Sequence, residues 1–154
     1  MTCIAYRNGV LAADSQSTDS NNLRVPCRKL YRIAKGKNRG HIVATAGADF
    51  TGEVFVKWYS GEGEMPTAER DLINEDDLFL CLVLRPDGLF EVDKSCVLIE
   101  NRLPFYAIGC GAPVAMGAME KGAGAREAVG IACKWDSNCA PPVVSMRLEH
   151  RKKR

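Results

Sequence analysis

Met1-Thr2-Cys3-Ile4-Ala5-Tyr6-Arg7-Asn8-Gly9-Val10-Leu11-Ala12-Ala13-Asp14 opens the chain, and its reading decides the fold. Two short apolar runs, residues 2–7 and 10–14, flank Asn8-Gly9. That dipeptide accepts the positive φ angles of a tight two-residue turn, so the stretch predicts a β-hairpin. Thr2 stands one methionine excision away from being the N-terminal residue. A terminal threonine carries a hydroxyl nucleophile and a free α-amine on the same residue. An unperturbed α-amine titrates at roughly 7.7–8.0, so it can act as the base for its own hydroxyl, and no histidine is needed.

Outward from the hairpin, residues 15–26 are polar and turn-rich up to Pro26. A second strand pair, 29–34 and 41–46, is joined by Lys35-Gly36-Lys37-Asn38-Arg39-Gly40. After Gly47 the period changes. Phe50, Val54, Phe55, Trp58 and Tyr59 recur at helical spacing, predicting a helix over about 49–60. Residues 61–76 read as loop or weak helix. Strands are predicted at 77–84 and 89–92, turned by Pro86-Asp87-Gly88, and again at 105–108. Two alanine-rich helices follow, about 112–121 and 125–135, with Ala112, Ala115, Met116 and Met119 forming a stripe that reads as packing. A last strand, 143–148, precedes a basic tail at 149–154. Strand pairs alternating with grouped helices give an α+β layered class.

At 154 residues, with 46% apolar and 26% charged residues, the chain reads as a single domain spanning 1–154. Its net charge of +2 argues against a nucleic-acid partner. No apolar stretch approaches the ~20 residues of a membrane span, and the N-terminus has no signal-peptide pattern; the expected location is cytoplasmic. The seven cysteines, at 3, 27, 81, 96, 110, 133 and 139, are odd in number and contain no CxxC pair. They read as reduced thiols, not as a disulfide framework. With His41 and His150 the only histidines, no ligand-like spacing is present. Neither metal nor cofactor is expected, and a Ser-His-Asp mechanism is disfavoured.

Four segments, in order, resemble the proteasome β-subunit and HslV family of N-terminal nucleophile hydrolases. These are Thr2-Cys-Ile-Ala with Asn8-Gly-Val-Leu-Ala-Ala-Asp14-Ser, Arg28-Lys29-Leu-Tyr-Arg-Ile33, Ala44-Thr-Ala-Gly47-Ala-Asp49, and Ala107-Ile-Gly109-Cys-Gly111-Ala with Ala125-Arg-Glu-Ala-Val129 through Asp136. The resemblance covers nearly the whole chain. It implies a four-layer αββα sandwich in a compact version, with the family's second helix shortened between about 61 and 76.

The same resemblance implies roles. Thr2, freed by removal of Met1, is the nucleophile. Lys29 lies beside it and favours its ionised oxygen. Asp14 orients Lys29, and the Gly47 N–H receives the oxyanion. Cys110 and Asp136 occupy positions in the network around the threonine amine. Thr45, Ala46, Ala48 and Asp49 form one wall of the substrate site. A peptide or unfolded-protein substrate, a homo-oligomeric ring (single or stacked) and an ATPase unfoldase as possible feeder are the partners it implies.

Two departures from the family pattern stand out. Gly109-Cys110-Gly111 replaces Gly-Ser-Gly. Asp136-Ser-Asn-Cys139-Ala-Pro-Pro142 lacks the family's Ser or Thr followed by Gly-Gly. A thiol is a weaker hydrogen-bond partner than a hydroxyl, so the alternatives are a catalytically weak or inactive scaffold subunit, or an amidase acting on small amides. Cys3, next in the strand, is expected on the opposite face as a packing residue.

Overall fold

The pleat of the opening hairpin sorts its side chains onto two faces, and the rest of the molecule is layered on that sorting. The computed structural model describes residues 2–19, 21–47, 49–67 and 79–149, with only the backbone described at 49 and 50. In chain order the elements are β1 (Ile4–Arg7), β2 (Val10–Ala13), β3 (Gln16–Thr18), β4 (Arg24–Pro26), β5 (Leu30–Arg32), β6 (Ile42–Gly47), α1 (Asp49–Ser60), β7 (Phe79–Arg85), β8 (Gly88–Val92), β9 (Leu98–Asn101), β10 (Phe105–Ile108), α2 (Ala112–Glu120), α3 (Ala125–Trp135) and β11 (Val144–Arg147).

β1 and β2 pair antiparallel from Ile4↔Ala13 to Arg7↔Val10. The turn between them puts Asn8 at φ 51° and Gly9 at φ 74°, the doubly positive geometry that Asn-Gly favours. β10 and β11 extend the pair into a sheet of order β10-β1-β2-β11. Successive residues face opposite ways. Cys3, Ala5, Ala12 and Ala107 point to one side, where they pack under Ala115, Met119, Ala125, Ala128, Val129 and Ala132 of α2 and α3. Ile4, Leu11, Ala13 and Ile108 point to the other.

The second sheet, of order β5-β6-β7-β8-β9, obeys the same rule. Leu30, Ile42, Ala44, Ala46, Leu82, Leu84 and Leu89 meet the inner face of the first sheet. Tyr31, Val43, Phe79, Cys81 and Val83 face outward onto Phe55 and Tyr59 of α1. The result is helix, sheet, sheet, helix: the expected αββα sandwich, with three apolar layers between four structural ones.

The predicted elements are found with ends shifted by at most two residues, where element ends fray. Two elements had no expectation. Residues 15–26, read as polar loop, form the β3–β4 hairpin, paired Gln16↔Pro26 to Thr18↔Arg24. Its β4 strand is exposed throughout, so no apolar alternation marks it. β9 is an edge strand on β8, with Ile99 62% exposed, and it lacks a periodic signature for the same reason. Residues 61–67 carry no helix or strand; 68–76, Asp77, and 150–154 of the predicted tail lie outside the described residues. No helix among the described residues is long and apolar enough to cross a membrane.

Candidate active site

Thr2 leads into the first sheet two residues ahead of β1 and is only 3% exposed. Its carbonyl is gripped by the β10–α2 turn: the Gly111 N–H donates to Thr2 O at 3.2 Å, and the Cys110 thiol reaches the same oxygen at 3.3 Å. Gly109 allows this approach. Its φ is +93°, and a Cβ there would sit 2.1 Å from Thr2 O, so any other residue would push the turn off the threonine. The backbone nitrogen of Thr2 in turn donates to Cys110 Sγ at 3.1 Å.

Asp14, just past the end of β2, is 1% exposed and is anchored from four directions. Its Oδ1 accepts from Lys29 Nζ at 2.8 Å and from the Cys3 N–H at 2.8 Å. Its Oδ2 accepts from the Gln16 N–H at 3.0 Å and the Ala140 N–H at 3.3 Å. A buried carboxylate is tolerable only with such compensation. Lys29, 5% exposed, also donates to Gln16 O at 2.6 Å. Asp14 Oδ1 thus bridges the lysine ammonium and the Thr2–Cys3 peptide. The structure brings Thr2, Asp14, Lys29 and Cys110 into one hydrogen-bonded neighbourhood, drawn from two different sheets.

The end of β6 lies beside the lysine segment. The Thr45 N–H donates to Lys29 O at 3.0 Å, which locks the lysine segment to β6. Thr45 itself faces α1, where a Cβ on Gly52 would come within 2.7 Å of its Oγ1. Ala46 is buried between the sheets. Gly47 ends the strand opposite Phe79 at φ 114°, a conformation that favours glycine. Ala48 lies outside the described residues, and Asp49 is described only as the first residue of α1.

Beside Thr2, Cys110 Sγ, an Asp136 carboxylate oxygen and Cys139 Sγ all lie within 4.8 Å of one another. Asp136 caps α3, and its carboxylate is held below the usual range by the Asn138 N–H, which donates at 2.8 Å. Both thiols are pushed up: Cys139 by its hydrogen bond with Cys3 and by burial, Cys110 by desolvation of its sulfur. Cys110 has one proton and two acceptors in reach, Thr2 O and Asp136, so it cannot satisfy both. Cys3 is fully buried among the α2 and α3 contacts, on the face expected from the pleat.

Three contributions could not be read from the sequence, although Cys139 stands out there as a departure from the family pattern. Gln16, through its backbone, binds both members of the ion pair. Ala140 reaches Asp14 from a residue 126 positions away. Cys139 joins Cys110 and Asp136 into a cluster that no sequence spacing announces. Backbone donors and long-range thiol contacts leave no residue-type signal.

A separate cavity of about 740 Å³, lined by Arg7, Val10, Gly124, Glu127, Val143 and Arg147 among others, lies at the far end of β1. Five residues of strand separate it from Thr2, about 16 Å, so it is not the cleft served by Lys29 and Asp14.

No family model matches the chain, and no curated protein matches it in sequence. Solved structures do. BPH from Thiobacillus denitrificans superposes with a TM-score of 0.70 at 23% identity, covering 97% of this chain and 98% of that one. The same protein in complex with epoxomicin gives 0.69 at 21% identity, covering 96% and 98%. The fold is HslV-like. HslV from Trypanosoma brucei agrees, with a TM-score of 0.67 at 20% identity over 97% of this chain and 99% of that chain. In this fold Thr2 leads into one sheet and Lys29 into the other.

Proposed function

We propose that this protein is an N-terminal threonine peptidase, active once Met1 is removed. The observation that carries the reading is the buried Lys29–Asp14 ion pair, whose shared oxygen also holds the Cys3 N–H beside Thr2. A buried charge pair is costly to maintain and is a weak device for stability, but it suits a nucleophile that must become anionic.

In this reading Thr2 Oγ attacks the scissile carbonyl carbon, and its proton passes to the α-amine, directly or through a water. The C–N bond breaks, the amine proton goes to the leaving nitrogen, and an ester links Thr2 to the acyl fragment. Water then attacks the ester and restores the hydroxyl. Lys29 stabilises the oxygen anion. The Gly47 N–H donates to the developing oxyanion, an effect worth about 10²–10³ in rate for a single donor. Cytoplasmic assembly into a ring that encloses the sites, with a peptide or unfolded protein as substrate, and with an ATPase unfoldase as feeder, completes the proposal.

The test is an intact mass of the assembled protein together with labelling by an epoxyketone peptide. The reagent offers a ketone and an epoxide, which a hydroxyl and an amine on one residue can both attack. The expected result is a mass lacking Met1 and a stable adduct on Thr2 that Thr2→Ala abolishes. Retention of Met1 leaves the nitrogen in an amide bond, and that outcome refutes the mechanism.

The Cys110 and Cys139 replacements support a second reading, a scaffold subunit with a vestigial site. Peptide turnover separates the two. Equal residual rates for the wild type, Thr2→Ser and Thr2→Ala favour the scaffold.

A further inference from the structure

We propose that Cys110, Asp136 and Cys139 form a binding site for a soft divalent cation of the zinc class, next to the Thr2 nitrogen. The three ligand atoms come from two separate segments, the β10–α2 turn and the loop after α3, and all lie within 4.8 Å of one another. Tetrahedral zinc with Zn–S bonds of about 2.3 Å needs sulfur atoms about 3.8 Å apart. Side-chain rotation of less than about 1 Å closes the difference.

The chemistry of the set selects the ion. Two sulfurs and one carboxylate suit zinc or cadmium and disfavour calcium and magnesium, which take oxygen shells. The surroundings are prepared as a second shell is. The Asn138 N–H holds the Asp136 carboxylate at 2.8 Å, and the Cys139 N–H donates to Asp136 O at 3.1 Å, fixing the loop that carries both ligands. Cys110 is open to solvent and Cys139 is buried, which gives the ion an entry side and a floor. Binding replaces the two thiol protons, which leave to solvent.

The Thr2 nitrogen, 3.1 Å from Cys110 Sγ, is in position to be the fourth ligand. This consequence rests on the peptidase reading, because only a free amine has a lone pair to give. A bound cation would then occupy the base that the nucleophile needs, and would inhibit reversibly.

Cobalt(II) is the probe, because thiolate ligation produces a sulfur-to-metal charge-transfer band that oxygen ligation lacks. The purified assembled protein, reduced with a phosphine, is titrated with cobalt(II) and then competed with zinc(II). One equivalent per chain with the band is expected, and zinc should displace it. Loss of an outer partner already costs about 10–100-fold in affinity, so Cys139→Ser and Asp136→Asn should each weaken binding by at least about 100-fold. Cys133→Ser should not change it. Absence of the band, an unaltered titration in both ligand variants, or loss of the band in Cys133→Ser overturns the site. Zinc inhibition of peptide turnover, reversed by a chelator, is read separately. A band without any turnover upholds the metal site and counts against the peptidase.

Discussion

The two outer layers of this sandwich are packed from different materials. Over the first sheet, α2 and α3 rest mostly on small residues: Cys3, Ala5, Ala12, Ala115, Ala128 and Ala132 are almost wholly buried, with Met119 and Val129 the larger buried members. Over the second sheet, α1 rests on Tyr31, Phe79 and its own Phe55 and Tyr59, with the Phe55 ring 5.7 Å from Tyr59 and 5.6 Å from Phe79. Small residues bring helices close to a sheet and leave little apolar area to hold them there. Aromatic residues bury more area and add ring–ring contacts. The small-residue layer lies on the side of the β10–α2 turn that grips Thr2, so close approach matters there more than adhesion. The aromatic layer holds α1, which follows Gly47, and supplies stability.

That contrast predicts that the two layers fail differently. The largest effect falls on the aromatic side. Phe55→Ala should lower stability by about 3–5 kcal/mol, the usual cost of emptying an aromatic core position, or roughly 10 °C in Tm for a domain of this size. Thermal unfolding measures it, and a loss below about 1 kcal/mol would mean that α1 is held by something other than its rings. Next comes Gly109→Ala on the small-residue side. Its methyl group would drive the turn off Thr2 O, and a displacement near 1 Å at a reacting group costs about 10²-fold in rate. Epoxyketone labelling rates should fall by that factor while Tm moves much less.

The third expectation reverses the direction of the mutation. Ala128→Leu adds bulk to a fully buried position between α3 and the first sheet, and overpacking there should cost about 1–3 kcal/mol. If the variant is instead stabilised, the layer is looser than its burial indicates. The smallest effect concerns His41, which sits at the end of the aromatic layer with Nδ1 3.0 Å from the Tyr59 hydroxyl. Burial, and then the charge of Arg85, hold its imidazole below the ordinary 6.5. The unfolded chain therefore takes up this proton at higher pH than the folded one. The contribution to stability is complete above 6.5 and is lost as pH falls through the folded value. His41→Gln should flatten the Tm profile below pH 6.5 by less than about 2 °C. An unchanged slope would assign the pH dependence to other groups.

Some of this was legible beforehand because it depends on local rules. Asn8-Gly9 dictates a hairpin whatever surrounds it, and the period of Val54, Phe55, Trp58 and Tyr59 marks a helix with one apolar face. The β3–β4 hairpin and β9 were illegible because exposed strands need pairing, not alternation, and pairing partners are not written into a strand's own residues. Within the site, Asp14 and Lys29 could be nominated from a resemblance, but their bond is made by the packing of one sheet on another. Nothing local marks Ala140, whose N–H reaches Asp14 across 126 residues of chain.

By itself, then, the sequence determined the residue types and the element order: a threonine behind Met1, a hairpin, a lysine strand, and helices with small or aromatic faces. Only the tertiary structure decided that Lys29 and Cys3 share one oxygen of Asp14, and that Cys110, Asp136 and Cys139 converge beside Thr2. The physical reason is range. Turn geometry and periodicity act over a few residues, whereas the Ala140 N–H on Asp14 and the contact of Cys110 with Thr2 join segments more than a hundred positions apart.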